Sequence, residues 1–130
     1  MELLIGIGSN DGQNLLKDHF GNSKYFYIYR FTEQGESFVE RIKNIKYHED
    51  ESIKHGDPGK AQATAEVLKG LDAIAGLRFG PNINRLLKKY VCIIVKRHTV
   101  EEAITVLREH IEHIVEAKEK GETRKHLVLH

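Results

Sequence analysis

The stretch LDAIAGLRFGPNINRLLKKYVCIIV, residues 71–95, decides the fold class of this 130-residue chain. It begins with the short apolar segment 71–75, passes through Gly80-Pro81-Asn82 into a helical pattern, and ends in the apolar segment 90–95. Proline close to a first helical position is typical of a helix start, and an uninterrupted apolar run is typical of a strand buried on both faces. Strand, helix and strand in this order predict a parallel pair within an α/β sheet.

The amino-terminal half supplies the other predicted strands. Residues 3–7 are an apolar strand that ends in a glycine-rich loop, residues 25–32 are an aromatic strand, and residues 37–45 are a third strand that pairs with the second as a hairpin. The polar residues 46–55 then predict a mobile loop. Asp57-Pro58 predicts the start of a helix, because an N-cap residue followed by proline is a common helix entry.

The final helix is predicted from Thr99 and Glu102, which have the spacing of a capping box. The apolar residues behind that box recur at helical spacing, and they are Val100, Ala103, Ile104, Leu107, Ile111, Ile114 and Val115. We expect a single domain over residues 1–115 and a charged C-terminal tail over 116–130. The apolar residues 127–129 are expected to dock on a partner or on a sheet edge, and dimerisation is left open.

The predicted order of elements is strand, strand, strand, helix, strand, helix, strand, helix. This order predicts a mixed five-stranded sheet with helices packed on it, and the ribonuclease H-like three-layer topology fits it. If the first and fourth strands are parallel neighbours, the loop after Gly8 and the loop after Gly76 meet at one switch point. Open α/β sheets bind ligands at such points.

Composition excludes several classes of partner. The chain has 20 basic and 19 acidic residues and a formal net charge of +1, so its bulk charge favours neither nucleic acid nor an anionic membrane. No segment approaches the roughly 18 to 20 apolar residues of a membrane helix. The single cysteine, Cys92, excludes an internal disulfide, and the start of the chain lacks a leader pattern, so we expect a cytoplasmic protein.

His19 is the first candidate ligand. It lies in the run His19-Phe20-Gly21, and a glycine after an aromatic residue predicts a positive φ or a close backbone approach at Gly21. An imidazole held in such a loop is a metal ligand, together with His55 or His48 from the mobile loop, or it is a hydrogen-bonding group that fixes the loop. For His48 and His55 the alternative is solvent exposure.

An anion would find donors at the two predicted helix starts, residues 57–60 and 80–82, where backbone N–H groups and a partial positive charge are available. The alternative is that these residues are simply good helix starts, and Asp57 would repel an anion at the first of them. The candidate ligand-binding residues are Gly21, Asn22, Lys60, Gly76, Arg78, Gly80 and Asn82.

Other reactive residues favour structural interpretations. Cys92 lies within a continuous apolar strand, where a cysteine is usually an inert core residue. His110 and His113 have ligand-compatible spacing, but exposed helix positions explain them better. Asp11 and Asp72 are isolated carboxylates, whereas two-metal cleavage needs several that converge. Since no nucleophile elbow, phosphate-binding loop or dinucleotide fingerprint occurs either, we expect no enzymatic activity.

An ordered set of short motifs resembles the nitrogenase iron-molybdenum cofactor biosynthesis family, the NifX and NifB carboxy-terminal type of domain. The matching pieces are His19-Phe20-Gly21, Tyr25-Phe26, His55-Gly56, Gly80-Pro81-Asn82 and Thr99-Val100-Glu101-Glu102-Ala103. The resemblance implies a ribonuclease H-like fold. It also implies non-catalytic binding and carriage of an iron-sulfur or molybdenum-containing cluster, with a cluster donor or acceptor protein as partner.

The chain departs from the family pattern at two places. Asn22 stands where the family often has arginine, and Leu77-Arg78-Phe79 replaces small glycine-rich sequence before Gly80. The bulkier loop would narrow a cluster site, or Arg78 would offer a fork of donors to an anion. Since a fold does not settle a ligand, an interaction or regulatory module without metal is the alternative function.

Overall fold

The structure is a computed structural model that describes residues 1–44 and 67–130. The predicted mobile loop at 46–55 and the helix predicted from Asp57 lie outside the described residues. The same is true of three candidate residues of the sequence analysis, which are His48, His55 and Lys60.

The described residues form six strands and three α-helices. In chain order these are β1 (Glu2–Ser9), β2 (Tyr25–Thr32), β3 (Gly35–Lys43), β4 (Ala73–Gly76), α1 (Ile83–Leu86), β5 (Val91–Val95), α2 (Val100–Glu109), α3 (Ile111–Glu119) and β6 (Leu127–Leu129). Two 3₁₀ turns lie at Phe20–Asn22 and Gly121–Thr123. None of the described helices has the length and apolar composition needed to cross a membrane.

The strands form one mixed sheet in the order β3-β2-β1-β4-β5-β6. Strand β1 is antiparallel to β2 and parallel to β4, and β4, β5 and β6 continue in parallel. The α/β class and the mixed sheet are therefore confirmed. The first and fourth strands are indeed parallel neighbours in the middle of the sheet, with Gly6 opposite Ile74.

The predicted number of five strands is wrong, because residues 127–129 add a sixth. Leu127 lies opposite Ile93, and Leu129 lies opposite Val95. An edge strand such as β5 leaves a row of unpaired backbone groups, and β6 satisfies them; the backbone N–H of Lys96, for example, donates to the carbonyl of Leu129 at 2.8 Å. The sequence predicts that residues 127–129 dock either on a partner or on a sheet edge. Within this chain they dock on the edge of the sheet.

The predicted final helix starts as expected but is interrupted. The capping box is present, since the backbone N–H of Glu102 donates to Thr99 Oγ1 at 3.0 Å and Glu102 Oε1 accepts the backbone N–H of Thr99 at 3.1 Å. The helix then breaks at His110, whose φ of −117° and ψ of 23° are not helical. Its ring Nδ1 lies 2.9 Å from the carbonyl of Val106, so the side chain contacts the last turn of α2.

The β2–β3 hairpin confirms the third predicted strand. Thr32 pairs with Gly35 across a two-residue turn, and Gly35 has a φ of +128°, a region that favours glycine. The register shifts by one residue between Ile28 and Tyr29, which is the signature of a β-bulge. This bulge accounts for the irregular polar and apolar pattern of residues 37–45.

Each face of the sheet carries its own hydrophobic core. The first core lies under α2 and α3, and its strand residues include Leu3, Ile5, Ile7, Phe31, Ala73, Ala75, Val91, Ile93 and Val95. The second core lies under α1 and includes Phe20, Phe26, Ile28, Leu68, Ile74, Leu86, Leu87, Tyr90 and Cys92. Successive strand residues point to opposite faces, so the central strands are apolar throughout because both faces are covered.

Candidate functional site

The loops that follow β1 and β4 meet at one edge of the sheet. Since β1 and β4 are parallel neighbours, their carboxyl ends lie at the same edge, as the switch-point argument predicts. A backbone hydrogen bond joins the two loops directly, from the N–H of Phe20 to the carbonyl of Arg78 at 2.8 Å. We call this junction, residues 18–24 and 76–82, the two-loop site.

The ring of Phe20 anchors the two-loop site. It is buried in the second core and stacks on Phe26 and Phe79, with ring centroids 4.9 Å and 5.1 Å away. Two glycines make room for it, because a Cβ added at Gly8 or Gly76 would lie 3.0 Å or 3.2 Å from Phe20 Cδ1. Gly76 therefore acts in packing, because its missing side chain leaves space for the Phe20 ring.

His19 lies directly beside this anchor. Its backbone is extended, with φ −62° and ψ 143°, and its N–H donates to Asp18 Oδ1 at 2.6 Å. The ring atom Nδ1 is buried, and a Cβ added at Gly80 would lie only 2.8 Å from it. The structure therefore brings His19 and Gly80, one candidate from each loop, into contact.

Gly21 and Asn22 form the turn after His19. The carbonyl of Gly21 accepts a hydrogen bond from Asn44 Nδ2 at 2.8 Å, and the same amide group donates to the carbonyl of Ser23 at 2.9 Å. Asn22 Nδ2 donates to Asp18 Oδ2 at 3.2 Å. Asn44 and Asp18 thus hold the turn in place, although the sequence analysis did not single out either.

The predicted reason for glycine at position 21 is wrong. Its φ is not among the positive values of the described glycines, and no atom of residues 1–44 or 67–130 lies within 4 Å of a Cβ built there. The close approaches that require glycine occur instead at Gly8 and Gly80. Among the described residues, the turn at Gly21 therefore presents open backbone rather than a tight contact.

The second loop contributes Arg78 and Asn82. Arg78 is exposed, and Asn82 is half-buried at the start of α1 without a side-chain capping hydrogen bond. Helix α1 spans only four residues, so the macrodipole expected at residues 80–82 is small, because that dipole is a sum over aligned peptides. A positive potential for an anion at this loop comes from the guanidinium of Arg78.

Cys92 is not available as a thiolate ligand. It lies on β5 opposite Ile74 with no exposed surface, and its Sγ lies 3.8 Å from the carbonyl of Tyr90. Burial raises the pKa of the thiol to about 12. The inert core interpretation of this cysteine is the one that its surroundings support.

The carboxylates Asp11 and Asp72 lie at opposite ends of β1. Asp11 follows that strand and accepts hydrogen bonds from the backbone N–H groups of Gln13 and Asn14, both at 2.9 Å, which hold its pKa far below the usual range. Asp72 accepts the N–H of Leu4 and pairs with Lys118, each at 2.8 Å. Both carboxylates therefore act in local structure, and the fold does not bring them together.

Within residues 1–44 and 67–130, no group of three or more histidine, cysteine or acidic side chains is arranged to hold a metal ion. His110 and His113 approach one another, with ring centroids 5.9 Å apart, but they lie at the α2–α3 junction. In the described part of the chain, the two-loop site therefore offers one imidazole, the guanidinium of Arg78, the ammonium of Lys24, amide groups and backbone donors, and it also contains the carboxylate of Asp18.

Comparisons with known proteins relate the chain to one family. The family model described as dinitrogenase iron-molybdenum cofactor matches residues 1–110. A crystal structure of a "putative dinitrogenase" from Methanocaldococcus jannaschii superposes with a TM-score of 0.59 at 17% identity, over 84% of this chain and 90% of that one. At this identity the superposition shows a shared fold. A search of curated proteins returned no match.

Proposed function

This chain belongs to the dinitrogenase iron-molybdenum cofactor family, and we propose that it is a non-catalytic carrier that binds an anionic iron-sulfur or molybdenum-containing cluster, or a precursor of one. Carriage needs a site that accepts and releases its cargo, and it needs no catalytic group. The partners of such a carrier are a cluster donor and a cluster acceptor protein.

The contact between His19 and Gly80 is the observation that carries this proposal. Nδ1 of His19 is buried against that glycine, so the imidazole is held against the second loop. Imidazole is a good ligand for iron and for related transition metals. The backbone hydrogen bond between Phe20 and Arg78 joins the two loops that carry this imidazole and the Arg78 side chain.

The donor set fits a preformed cluster better than a bare ion. A bare transition metal ion needs several protein ligands, and the described residues hold no such group. A cluster brings its own sulfide ligands and negative charge, so one imidazole suffices beside hydrogen-bond donors. In this proposal Arg78, Asn22 and Asn82 supply those donors, and the open backbone at Gly21 leaves room for the cargo.

His55 and Lys60 complete the proposed ligand set from outside the described residues. The family motif His55-Gly56 and the basic side chain of Lys60 support their inclusion. For His55 the proposed role is a second imidazole ligand. For Lys60 the proposed role is an additional positive charge beside the anion.

We further propose that the fold is ribonuclease H-like. Strands β1 to β5 have the order β3-β2-β1-β4-β5, with β2 antiparallel to both of its neighbours and β4 and β5 parallel to β1. The strand β6 then extends that arrangement by one strand at the β5 edge. The helices on both faces of the sheet support the three-layer description.

Anaerobic titration of the full chain with a synthetic iron-sulfur cluster, and separately with tetrathiomolybdate, tests the carrier function. We expect stoichiometric uptake by metal analysis and visible absorption, and roughly tenfold weaker uptake by His19→Ala, because the only imidazole of the described site is removed. His126→Ala is the control, since that histidine is exposed just before β6. Equal uptake by all three proteins, or no uptake by any, would overturn the proposal.

An interaction module without metal is the second candidate. It is favoured by the exposed Val128 on the edge strand β6, which leaves 43% of its surface accessible. An exposed edge strand readily pairs with another chain. A partner that binds His19→Ala as well as it binds the unchanged protein, but does not bind Val128→Lys, would support this candidate over the carrier.

A further inference from the structure

Four aromatic side chains form a continuous ladder on the outer part of the sheet. Tyr25, Tyr27 and Tyr29 alternate along β2 and so share one face, and Phe38 of β3 lies opposite Tyr29. Ring centroids are 6.3 Å apart for Tyr25 and Tyr27, 6.5 Å for Tyr27 and Phe38, and 5.5 Å for Tyr29 and Phe38. Phe38 leaves 56% of its surface exposed, so this aromatic ladder is open to solvent.

A cleft of about 450 Å³ adjoins the ladder. It is lined by residues 12–14 of the loop after β1, by Tyr29 of β2, and by Thr99, Val100, Glu101 and Ile104 at the start of α2. Gly12 connects the cleft with the rest of the ladder, because a Cβ there would lie 3.0 Å from the Tyr27 hydroxyl. Cleft and ladder thus form one surface, which we call the ladder cleft.

The charges around the ladder cleft favour a cationic ligand. Glu101 is the only charged side chain among the described residues that line the cleft. Two basic side chains on this face have partners, because Arg41 lies over the ring of Tyr25 at 4.3 Å and Arg108 pairs with Glu36. A third, Lys43, lies opposite Tyr25 at the end of the ladder away from Tyr29 and Phe38. The Arg41 contact also shows that a ladder ring accepts a guanidinium.

We propose that the ladder cleft docks an arginine-bearing segment of another protein. The guanidinium stacks on the ring of exposed Phe38 and on the accessible part of the Tyr29 ring, as a cation does on a π face, while the Glu101 carboxylate accepts its hydrogen bonds. Arginine suits this pairing better than lysine, because its planar group stacks and donates in a fork at the same time.

This proposal goes beyond cluster carriage and does not depend on it. Tyr29 packs against the first core, whereas Phe20 of the two-loop site lies in the second core on the opposite face of the sheet. A carrier would then present cargo on one face and hold a partner protein through the other. Failure of one proposal leaves the other standing, since their variants share no residue.

An NMR titration of the full chain tests the ladder cleft. The probe is an acetylated and amidated peptide of alternating glycine and arginine, and the control peptide carries neutral citrulline in place of arginine. We expect amide shifts at Gly12, Gln13, Tyr29 and Glu101 with the arginine peptide and none with the control. The affinity should fall about fivefold in Glu101→Gln and in Phe38→Ser, because each loses one of the two contacts.

Glu109→Gln is the matched control for Glu101→Gln, because Glu109 is exposed at the other end of the same helix. Both exposed positions allow the variants to fold, which circular dichroism will verify. Three results would overturn the proposal: no binding up to about 5 mM peptide, equal binding of the citrulline peptide, or a self-association that Phe38→Ser abolishes while the arginine peptide leaves it unchanged. The last result would assign the ladder to a second copy of this chain.

Discussion

At the scale of single residues, glycines decide the shape of the two-loop site. Gly8 and Gly76 flank the Phe20 ring, and Gly80 receives the His19 ring. At Gly76 and Gly80 a methyl group would enter space that a ring already occupies, and at Gly8 it would meet the Ser23 hydroxyl as well as the Phe20 ring. The positions of the two rings are therefore encoded as much by these glycines as by Phe20 and His19 themselves.

Gly80→Ala is expected to displace the His19 ring without unfolding the protein. The added Cβ would lie 2.8 Å from Nδ1, so the imidazole must rotate away, at a cost to stability of about 1 kcal/mol. If His19 ligates the cargo, uptake falls roughly tenfold. Metal analysis after anaerobic titration measures the change.

The double variant His19→Ala/Gly80→Ala supplies the control for that experiment. If Gly80→Ala acts through the imidazole, adding it to His19→Ala lowers uptake no further, because interacting sites are not additive. Independent and additive losses would show that Gly80 acts on the cargo by another route. Unchanged uptake in Gly80→Ala alone would contradict a role for the His19–Gly80 contact.

Cys92 is expected to stay unreactive in the folded protein. Burial raises the pKa of its thiol to about 12, so almost no thiolate forms at pH 8, and the thiolate is the nucleophile. Alkylation by iodoacetamide, followed by mass spectrometry, should be negligible in buffer and complete in denaturant. Cys92→Ala should lose about 1 kcal/mol of stability and retain full cluster uptake. Rapid alkylation of the folded chain, or lost uptake in Cys92→Ala, would contradict this assignment.

At the scale of elements, one ion pair ties α2 to the outer hairpin. Arg108 Nε donates to Glu36 Oε2 at 2.9 Å, and Glu36 lies on β3, two strands away from the centre of the sheet. Hydrogen bonding from Arg108 lowers the pKa of Glu36. This contact closes the first core on the side of the ladder cleft.

Glu36→Gln is expected to lower the stability at pH 7 by the small amount typical of surface ion pairs. A carboxyl group whose pKa is lower in the folded state stabilises above its unfolded pKa, and this contribution is lost as the pH falls through the folded pKa. The difference between the two proteins should therefore be present at pH 7 and shrink as the pH falls below the usual range of a glutamate pKa. Urea unfolding across this range measures it.

Glu40→Gln on the same strand is the control for this titration, since Glu40 is exposed. Its unfolding curve should follow that of the unchanged protein at every pH. If the Glu36→Gln curve also follows the curve of the unchanged protein, the ion pair contributes nothing to stability. A difference that grows on acidification would have the wrong sign for a lowered pKa.

Local patterns predicted those elements whose signals are contained in a few residues. The capping box at Thr99, the turn before Gly35 and the apolar runs of β1 and β5 are of this kind. The break at His110 escaped prediction, because the apolar stripe continues across the break. The strand β6 was predicted only as one of two ways in which residues 127–129 could dock, because it forms only where β5 offers its edge. Its three residues carry too little periodicity to indicate a strand on their own.

The convergence of the two loops was predictable for a similar reason. Parallel neighbouring strands end at the same edge of the sheet, so the switch-point rule predicts that the loops with His19 and Arg78 meet there. What holds them there was not predictable. Asn44 is distant in sequence from the Gly21 carbonyl that it binds, and no local pattern marks that pairing.

At the scale of the whole molecule, residues 124–129 connect the sheet with its helices. Arg124 donates to the carbonyls of Ala117 at 3.1 Å, Leu87 at 2.9 Å and Lys118 at 3.2 Å. One guanidinium thereby joins the end of α3 to the end of α1. Leu129 then enters the first core with only 7% of its surface exposed.

A chain that ends at residue 115 is therefore expected to be much less stable than the full protein. It loses the burial of Leu129 and Ala117, the pairing of β6 and the three bonds of Arg124. The leucine alone contributes about 1.5 to 3 kcal/mol, so we expect a total loss of at least about 3 kcal/mol, out of the 5 to 15 kcal/mol typical of a domain. Urea unfolding of both chains measures this loss.

Two shorter changes separate the contributions to that loss. Deletion of the exposed His130 alone should leave the unfolding midpoint unchanged, whereas Arg124→Lys should lower it, because an ammonium cannot reach three carbonyls in the fork geometry of a guanidinium. If the chain ending at residue 115 unfolds at the midpoint of the full chain, residues 116–130 are a dispensable tail, as their charge pattern alone predicts. A lowered midpoint in both the chain ending at residue 115 and Arg124→Lys would instead make these residues part of the folded unit, since buried contacts rather than surface charge would then set their contribution.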